Sequence, residues 1–326
     1  MRKYSKFMIM AIFAFFMVSG ATAQKKSKIV FLYGARSHAS GDHEFKAGSM
    51  LLAKHLNAQK KVPVEAITHF GWPKDESILD DAAAVIIYSD ATKVVQNGWE
   101  KMDALTKKGV GVMMMHYAVH PTIDKGEQYF MPWIGGYFRN NFSANPFWLA
   151  DIKCNKDHEC SHGVGEIRTI DEFYFNIKYS EKMIPLGVAI PTEKNLHHIN
   201  NLWTKEAYES KDKPQALLWG TQREKGRGAG FTGGHHHHNW ALDGYRQLVL
   251  NTIVWVAGLE VPEGGVPTYK VTEDELNENL DDYGAKTRRI KLPDPKRLEF
   301  NPGPWMTKEE HADRRNRGKK KKMKKK

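Results

Sequence analysis

Cysteine is scarce, with two in 326 residues. That is too few for a disulfide framework or a four-thiolate zinc site. Long apolar runs are missing beyond residue 23, and none approaches the ~20 residues needed to span a bilayer. No H-E-x-x-H or similarly tight ligand spacing occurs, and no internal repeat. A basic body is lacking as well. The formal net charge is +11, but Arg314–Lys326 carries ten positive charges and no negative one, and Arg2, Lys3 and Lys6 add three more. Residues 24–313 are then left at −2. A nucleic-acid-binding domain carries its basic charge on the folded surface, so no nucleic-acid partner is expected. What remains is 41% hydrophobic and 11% aromatic, enough to bury a core and line a pocket.

The two ends read separately from the body. Met1–Lys6 is a short basic stretch, Phe7–Val18 is a twelve-residue apolar run, and Ala21-Thr22-Ala23 is an A-x-A site. This is the pattern of a secretory signal, removed before Gln24. The expectation is an exported protein, periplasmic or extracellular, with no transmembrane segment after cleavage. At the other end, seven of the last eight residues are Lys. Such a run does not fold, and its charge suits anionic surfaces or simply solubilises. Residues 1–23 are thus a signal, 24–260 a domain, and 261–326 an extended arm with a disordered basic tail.

Within the body, Lys28–Tyr33 (KIVFLY), Val62–Thr68, Ala82–Tyr88 (AAAVIIY) and Val110–His116 read as buried strands. Helical spacing lies between them at 44–57 and at Gln96–Lys107, which Gly109 stops. This alternation indicates a parallel α/β sheet with right-handed crossovers. From Tyr117 to about Gly165 the pattern is lost, and a long irregular insertion of this kind usually builds a binding site. Strand-like runs return at 172–179, 184–190, 215–220 and 228–232, and Tyr245–Val256 is a closing helix.

Ligands of an open parallel sheet bind at the carboxyl ends of its strands. Four ends here carry polar clusters: Arg36, His38, Asp42, His43 and Glu44; His116 with His120; Asp171 with Glu172; and the run His235–His238 with Asn239 and Trp240. Extended chain alternates its side chains, so only one pair of the four-histidine run, His235/His237 or His236/His238, can face a pocket. The whole run on an exposed loop is the other option. Imidazoles and carboxylates from separate strand ends are also a donor set for a divalent metal, which stays open here. Cys154 and Cys160, interleaved with His158 and His162, are compatible with a disulfide closing a short loop, with free thiols, or with a cramped metal site.

Several segments together resemble one family. They are GDHEFKAG (41–48), MMHYAVH (114–120), WIGGYF (133–138), NPFW (145–148), HGV (162–164), DEFY (171–174), GFTGGHHHHNW (230–240) and YRQLVLNTIVWVAG (245–258). The chain from Lys28 to about Gly258 resembles a ThuA-like (trehalose-utilisation-like) domain. The resemblance implies a flavodoxin-like, doubly wound, mostly parallel α/β sheet similar to class I glutamine amidotransferases. It also implies a role in sugar catabolism, in particular with 3-keto-disaccharides or 3-keto-glycosides. Amidotransferases place a nucleophilic Cys after a central strand, in G-x-C-x-G. His116 takes that position here, and the flanking glycines are gone. The amidotransferase His-x-Glu base pair would fall on His235 and His237, so its carboxylate is missing. Thiolate acyl transfer needs a nucleophile beside a base, so this activity is excluded.

The expected catalytic set is His116 and His235, followed by His43 and Glu172. An imidazole near neutral pH serves as base, acid or metal ligand. The partner is a small-molecule carbohydrate, for which aromatic faces and planar polar groups are at hand. Trp133, Tyr137, Phe147, Trp148 and Trp240 offer the faces. His120, Asn145, Asp171, Glu172, His237 and Asn239 offer the polar contacts. An exported carbohydrate-active hydrolase, lyase or isomerase is one outcome. A non-catalytic carbohydrate-binding or scaffold protein on the same fold is the other.

Overall fold

The computed structural model describes residues 25–196 and 204–294. The signal segment and the Lys-rich tail lie outside the described residues. Eleven strands form in chain order: β1 (Ser27–Tyr33), β2 (Val64–Phe70), β3 (Ala82–Tyr88), β4 (Gly111–Met115), β5 (Gly136–Tyr137), β6 (Trp148–Cys154), β7 (Ile167–Asp171), β8 (Lys178–Tyr179), β9 (Ile184–Ala189), β10 (Gln215–Gln222) and β11 (Arg227–Phe231). The helices are α1 (Phe45–Ala58), α2 (Trp99–Lys108), α3 (Ile123–Lys125), α4 (Met131–Ile134), α5 (Lys205–Glu209), α6 (Asp243–Val256) and α7 (Glu273–Leu276).

The main sheet runs β2-β1-β3-β4-β11-β10-β9-β6-β7. Its first five strands are parallel to one another, in the flavodoxin-like order with a reversal of winding between β1 and β3. The next four continue antiparallel. Each central strand is apolar on both faces, as a sheet covered by helices requires. Ile29, Phe31, Ile86, Met113 and Met115 pack with α1 and α6 on one side. Val30, Leu32, Ile87, Val112 and Met114 pack with α2 and α4 on the other. Gly109 ends α2 at φ 107°, a left-handed C-cap whose N–H bonds the carbonyls of Leu105 and Thr106.

Two expectations about strands change. Residues 172–177 are not a strand. The chain leaves β7 at Asp171, crosses the sheet edge, and turns at Asn176, whose φ is 53°. Asn is among the non-glycine residues that enter that region most readily, and here its side chain also donates to the Phe142 carbonyl at 2.8 Å. The insertion, in turn, is only partly irregular. Trp148–Cys154 alternates buried and outward residues and adds β6 to the sheet.

The arm is corrected more strongly. Residues 261–294 are not disordered; they pack across the body as a strap. Val261, Val266, Val271, Leu276 and Ile290 are buried in the core cluster of α1 and α6. Arg246 on α6, fully buried, donates to the Tyr269 carbonyl at 2.6 Å, to Thr268 Oγ1 at 2.9 Å and to the Trp240 carbonyl at 2.7 Å. The Asn251 side chain accepts the Val266 N–H at 2.8 Å. Gly/Pro-rich spacing hid these anchors, because single apolar residues five or more apart have no helix or strand period.

Where the strap crosses α1, Tyr269 stacks on His55 with ring centres 4.0 Å apart, and Thr268 Oγ1 is 2.7 Å from His55 Nδ1. Burial first, then the Arg246 charge, pushes the His55 imidazole down from 6.5 to about 4. An unfolded chain therefore takes up a proton below pH 6.5 that the folded protein refuses until about pH 4. This contribution is complete above pH 6.5 and is lost as pH falls toward 4. Urea midpoints compared at pH 7 and pH 5 should fall on acidification, and His55→Gln should fall by less than the natural sequence. Equal losses would show that His55 does not carry the linkage.

Candidate functional site

The carboxyl ends of the parallel strands converge where the winding reverses. The loop after β1 brings His43, the loop after β3 brings Asp90, the turn after β4 brings His116, and the loop after β11 brings His235. Glu172 enters just past the end of β7. His43 and His116 both sit in the left-handed region, with φ of 52° and 54°. That conformation costs roughly 1–2 kcal/mol for a residue with a Cβ, and such strain concentrates at functional sites.

One buried carboxylate fixes the β11 loop. Asp171 accepts the successive N–H groups of Gly234 (2.8 Å), His235 (3.1 Å) and His236 (3.2 Å), and the Tyr245 hydroxyl at 2.7 Å. Gly234, at φ 105°, makes the turn that aims those amides at it. Burial pushes the Asp171 carboxyl up, but the nearby His236 charge, the Gly234 amide, His235 and the Tyr245 hydroxyl together bring it below its ordinary value. The same loop is then stitched to the β1 loop. His43 N–H donates to the His235 carbonyl at 2.9 Å, and His237 N–H to the Gly41 carbonyl at 3.0 Å. Two histidines 192 positions apart are thereby held side by side.

His43 Nε2 lies 3.0 Å from His235 Nδ1 and 3.0 Å from His116 Nε2. Glu172 Oε2 is 3.3 Å from His235 Nδ1 and 3.6 Å from His116 Nε2. All four donor atoms fall within 4.8 Å of one another. The surrounding hydrogen bonds assign two tautomers. His116 Nδ1 is 2.9 Å from the Thr232 carbonyl, which only accepts, so the proton is on Nδ1. His43 Nδ1 is 3.1 Å from Asp90 Oδ1 and 2.8 Å from Ser37 Oγ, whose own hydroxyl donates to Asp90 at 2.7 Å. Its proton is therefore also on Nδ1. Both Nε2 atoms present lone pairs to the cluster centre. Burial, then the neighbouring histidines His43 and His235, holds His116 well below its usual value. His43 is lowered too, by burial and despite the Asp90 hydrogen bond. Burial pushes Asp90 up, but hydrogen bonds from His43, Ser37 and Lys93 bring it down to about 2.

The four residues expected to be catalytic, His116, His235, His43 and Glu172, are thus brought together. The expected carbohydrate contacts divide. Asn145 donates to Glu172 Oε1 at 3.1 Å, and half-buried His120 stands at the rim beside Tyr117, bonded to Asn140 at 2.9 Å. Asp171 lies beneath the loop and faces no ligand. Trp133 is buried on the α2 side, donating to Asp103 at 3.1 Å. The Tyr137 hydroxyl donates to Glu127 at 2.8 Å, away from the cluster. Trp148 and Trp240 are core residues, the former bonded to the Phe173 carbonyl at 2.8 Å. Asn239 ties Thr169 to the Ile170 carbonyl. His237 does not share the pocket with His235, because a 3-10 turn begins there and its Nε2 reaches the Leu276 carbonyl at 3.1 Å. These partners turn the side chains away from the four-residue cluster and so out of a substrate-facing set.

Several residues were not expected. Asp90 orients His43, and Tyr174 places its hydroxyl 3.4 Å from His116 Nε2. Phe147 was one of the five aromatics expected to face a sugar, and of those five it is the one that reaches the cluster, edge-on to His235 at 4.9 Å. The Ser89-Asp90 pair after the third strand was the available signal for Asp90.

The disulfide option fails, since Cys154 and Cys160 are free thiols. Burial pushes the Cys160 thiol up to about 12. Among the described residues, no metal-compatible cluster includes Cys154, His158, Cys160 or His162. A hollow of about 420 Å³ lies between Asp42, His236, His238 and Arg288–Ile290, and neither His43 nor His116 lines it.

The profile of the family described as ThuA, trehalose utilisation, matches residues 30–256. A ThuA-like protein from Parabacteroides merdae is similar in structure, with a TM-score of 0.53 at 12% identity over 78% of this chain and 100% of that one. A second, from Bacteroides uniformis, gives 0.51 at 14% identity over 72% of this chain and 93% of its own. These likenesses show a shared fold. Among curated proteins, none matches this chain.

Asp171→Asn tests the scaffold of the site. Its NH2 group replaces one of the two accepting oxygens, so in either orientation at least one of these backbone N–H groups meets a donor in place of an acceptor. The variant should lose about 2–4 kcal/mol, from unpaired buried donors and a lost charged acceptor. A denaturation midpoint unchanged from the natural sequence would contradict the role given to this carboxylate.

Proposed function

From the premise that the chain belongs to the ThuA (trehalose utilisation) family, we propose that it acts on a glycoside or disaccharide, with a 3-keto sugar as the preferred form. The observation that carries this is the convergence of His43, His116, His235 and Glu172 at the carboxyl edge of the sheet. The proposal includes export, read from residues 1–23.

The chemistry follows from the groups present. A ketone acidifies the C–H beside it, so breaking that bond takes one proton acceptor and one group that stabilises the enolate oxygen. Glu172 is the acceptor best placed for a bound sugar. It stands at the rim, Asn145 holds its other oxygen, and its Oε2 faces two imidazoles. The imidazole cluster behind it is the place for the carbonyl oxygen. If the carbon two bonds from the carbonyl bears the glycosidic oxygen, the enolate collapses back to the ketone, a C=C bond forms next to it and the C–O bond breaks; the departing oxygen takes the proton held by Glu172 and leaves as the alcohol. Phe147 and Tyr117 offer apolar faces for the ring, and His38 and His120 offer polar contacts at the mouth. Thiol acyl transfer has no place here, since His116 occupies the turn after β4 and both cysteines lie in β6 or beyond.

Incubation with 3-keto-trehalose and related keto-glycosides, followed by mass spectrometry, should show product release. His116→Ala and Glu172→Gln should each lower turnover by about 100-fold or more while the fold stays intact by circular dichroism. A folded His116→Ala protein with full ligand binding and turnover would overturn the assignment.

A further inference from the structure

We propose that His43, His116 and His235 bind one divalent first-row transition cation, with the Glu172 carboxylate closing the fourth side of the donor set. The reason is electrostatic. His43 Nε2 and His116 Nε2 are 3.0 Å apart, and each has its proton committed to the other ring nitrogen by an acceptor, Asp90 in one case and the Thr232 carbonyl in the other. Two lone pairs at that distance repel unless a positive centre lies between them. His235 points its Nδ1 at the cluster, with its Nε2 on the outer side toward the Asp42 carboxylate, 3.7 Å away.

The spacing agrees with a metal. Donors around a tetrahedral ion with bonds of ~2.0–2.1 Å lie about 3.3 Å apart. The neighbouring contacts here are 3.0, 3.0, 3.3 and 3.6 Å. The outer partners are those of metal-bound histidines, which give their second N–H to a carboxylate or a carbonyl. Two of the three imidazoles are also carried on left-handed, strained backbone, which positions them at a cost the core packing must offset. Imidazole-rich sets select zinc and its neighbours in the first row, whereas magnesium and calcium prefer oxygen ligands. A sugar carbonyl that displaced Glu172 from the ion would free this carboxylate as a base, so the site deepens the proposed function without depending on it.

The full chain, stripped with a chelator and dialysed, is titrated calorimetrically with zinc alone, and separately with cobalt, magnesium and calcium. The expected result is one tight equivalent of zinc. Cobalt should bind at the same stoichiometry with a visible ligand-field spectrum, and magnesium and calcium should fail to displace it. His116→Ala should lose at least 100-fold in affinity, and Asp90→Asn, which touches no metal, about 10–100-fold. Should His116→Ala not fold, Asp90→Asn carries the test. The run of four histidines demands a control, since His236 and His238 stack their rings 5.3 Å apart. The double variant His236→Ala/His238→Ala should keep the tight equivalent. No stoichiometric binding, or binding abolished by that double variant and unaffected by Asp90→Asn, would overturn the proposal. Tight binding without turnover of any keto-glycoside would support the cation site and count against the carbohydrate reading alone.

Discussion

Asp171 is the constraint on which the rest of the site depends. A carboxylate with no water around it must have its charge met by the protein, and this one is met by three consecutive amides and a phenol. Meeting it forces the chain after β11 into a tight turn. The turn in turn offers the His235 carbonyl to the His43 amide, and His235 is placed against His43 and His116. The strap adds a second tie. Glu44, fully buried beside His43, accepts the amides of Gly41 at 3.0 Å and of Asp281 at 2.7 Å. Residues far along the chain thus clamp the loop that carries the first histidine.

The turn after β4 aims its side chain into the cleft. His116 holds that turn in the left-handed region, with φ of 54°, and presents an imidazole there. What the cleft then presents is three nitrogen lone-pair positions and one carboxylate. That set suits polarising a carbonyl and moving a proton, and it lacks the nucleophile for a covalent acyl intermediate.

Much of this was legible in the sequence. Uninterrupted apolar runs such as AAAVIIY show a strand buried on both faces, and the strand ends then name His43, His116 and His235. Glu172 was named as well, but on a strand that Asn176 breaks. Aromatic residues were the weak point. Trp133, Trp148 and Trp240 have the composition of a sugar site, yet each is enclosed by core, and only tertiary packing separates them from Phe147. Asp90 and the Thr232 carbonyl escaped for a different reason. They act by fixing a proton on another residue, and no spacing in the chain records that. The strap escaped because isolated buried residues such as Val266 and Leu276 have no period, while the Arg246 that holds it belongs to a helix with its own apparent purpose.

X-ray absorption at the zinc edge of the zinc-loaded full chain tests the central claim most directly. The account predicts three imidazole nitrogens and one oxygen donor, with no sulfur, at bond lengths of ~2.0–2.2 Å. A sulfur shell near ~2.3 Å would place the ion on Cys154 or Cys160, and a shell with one imidazole or none would place it on the surface; either would contradict the convergence of His43, His116 and His235 as the functional centre.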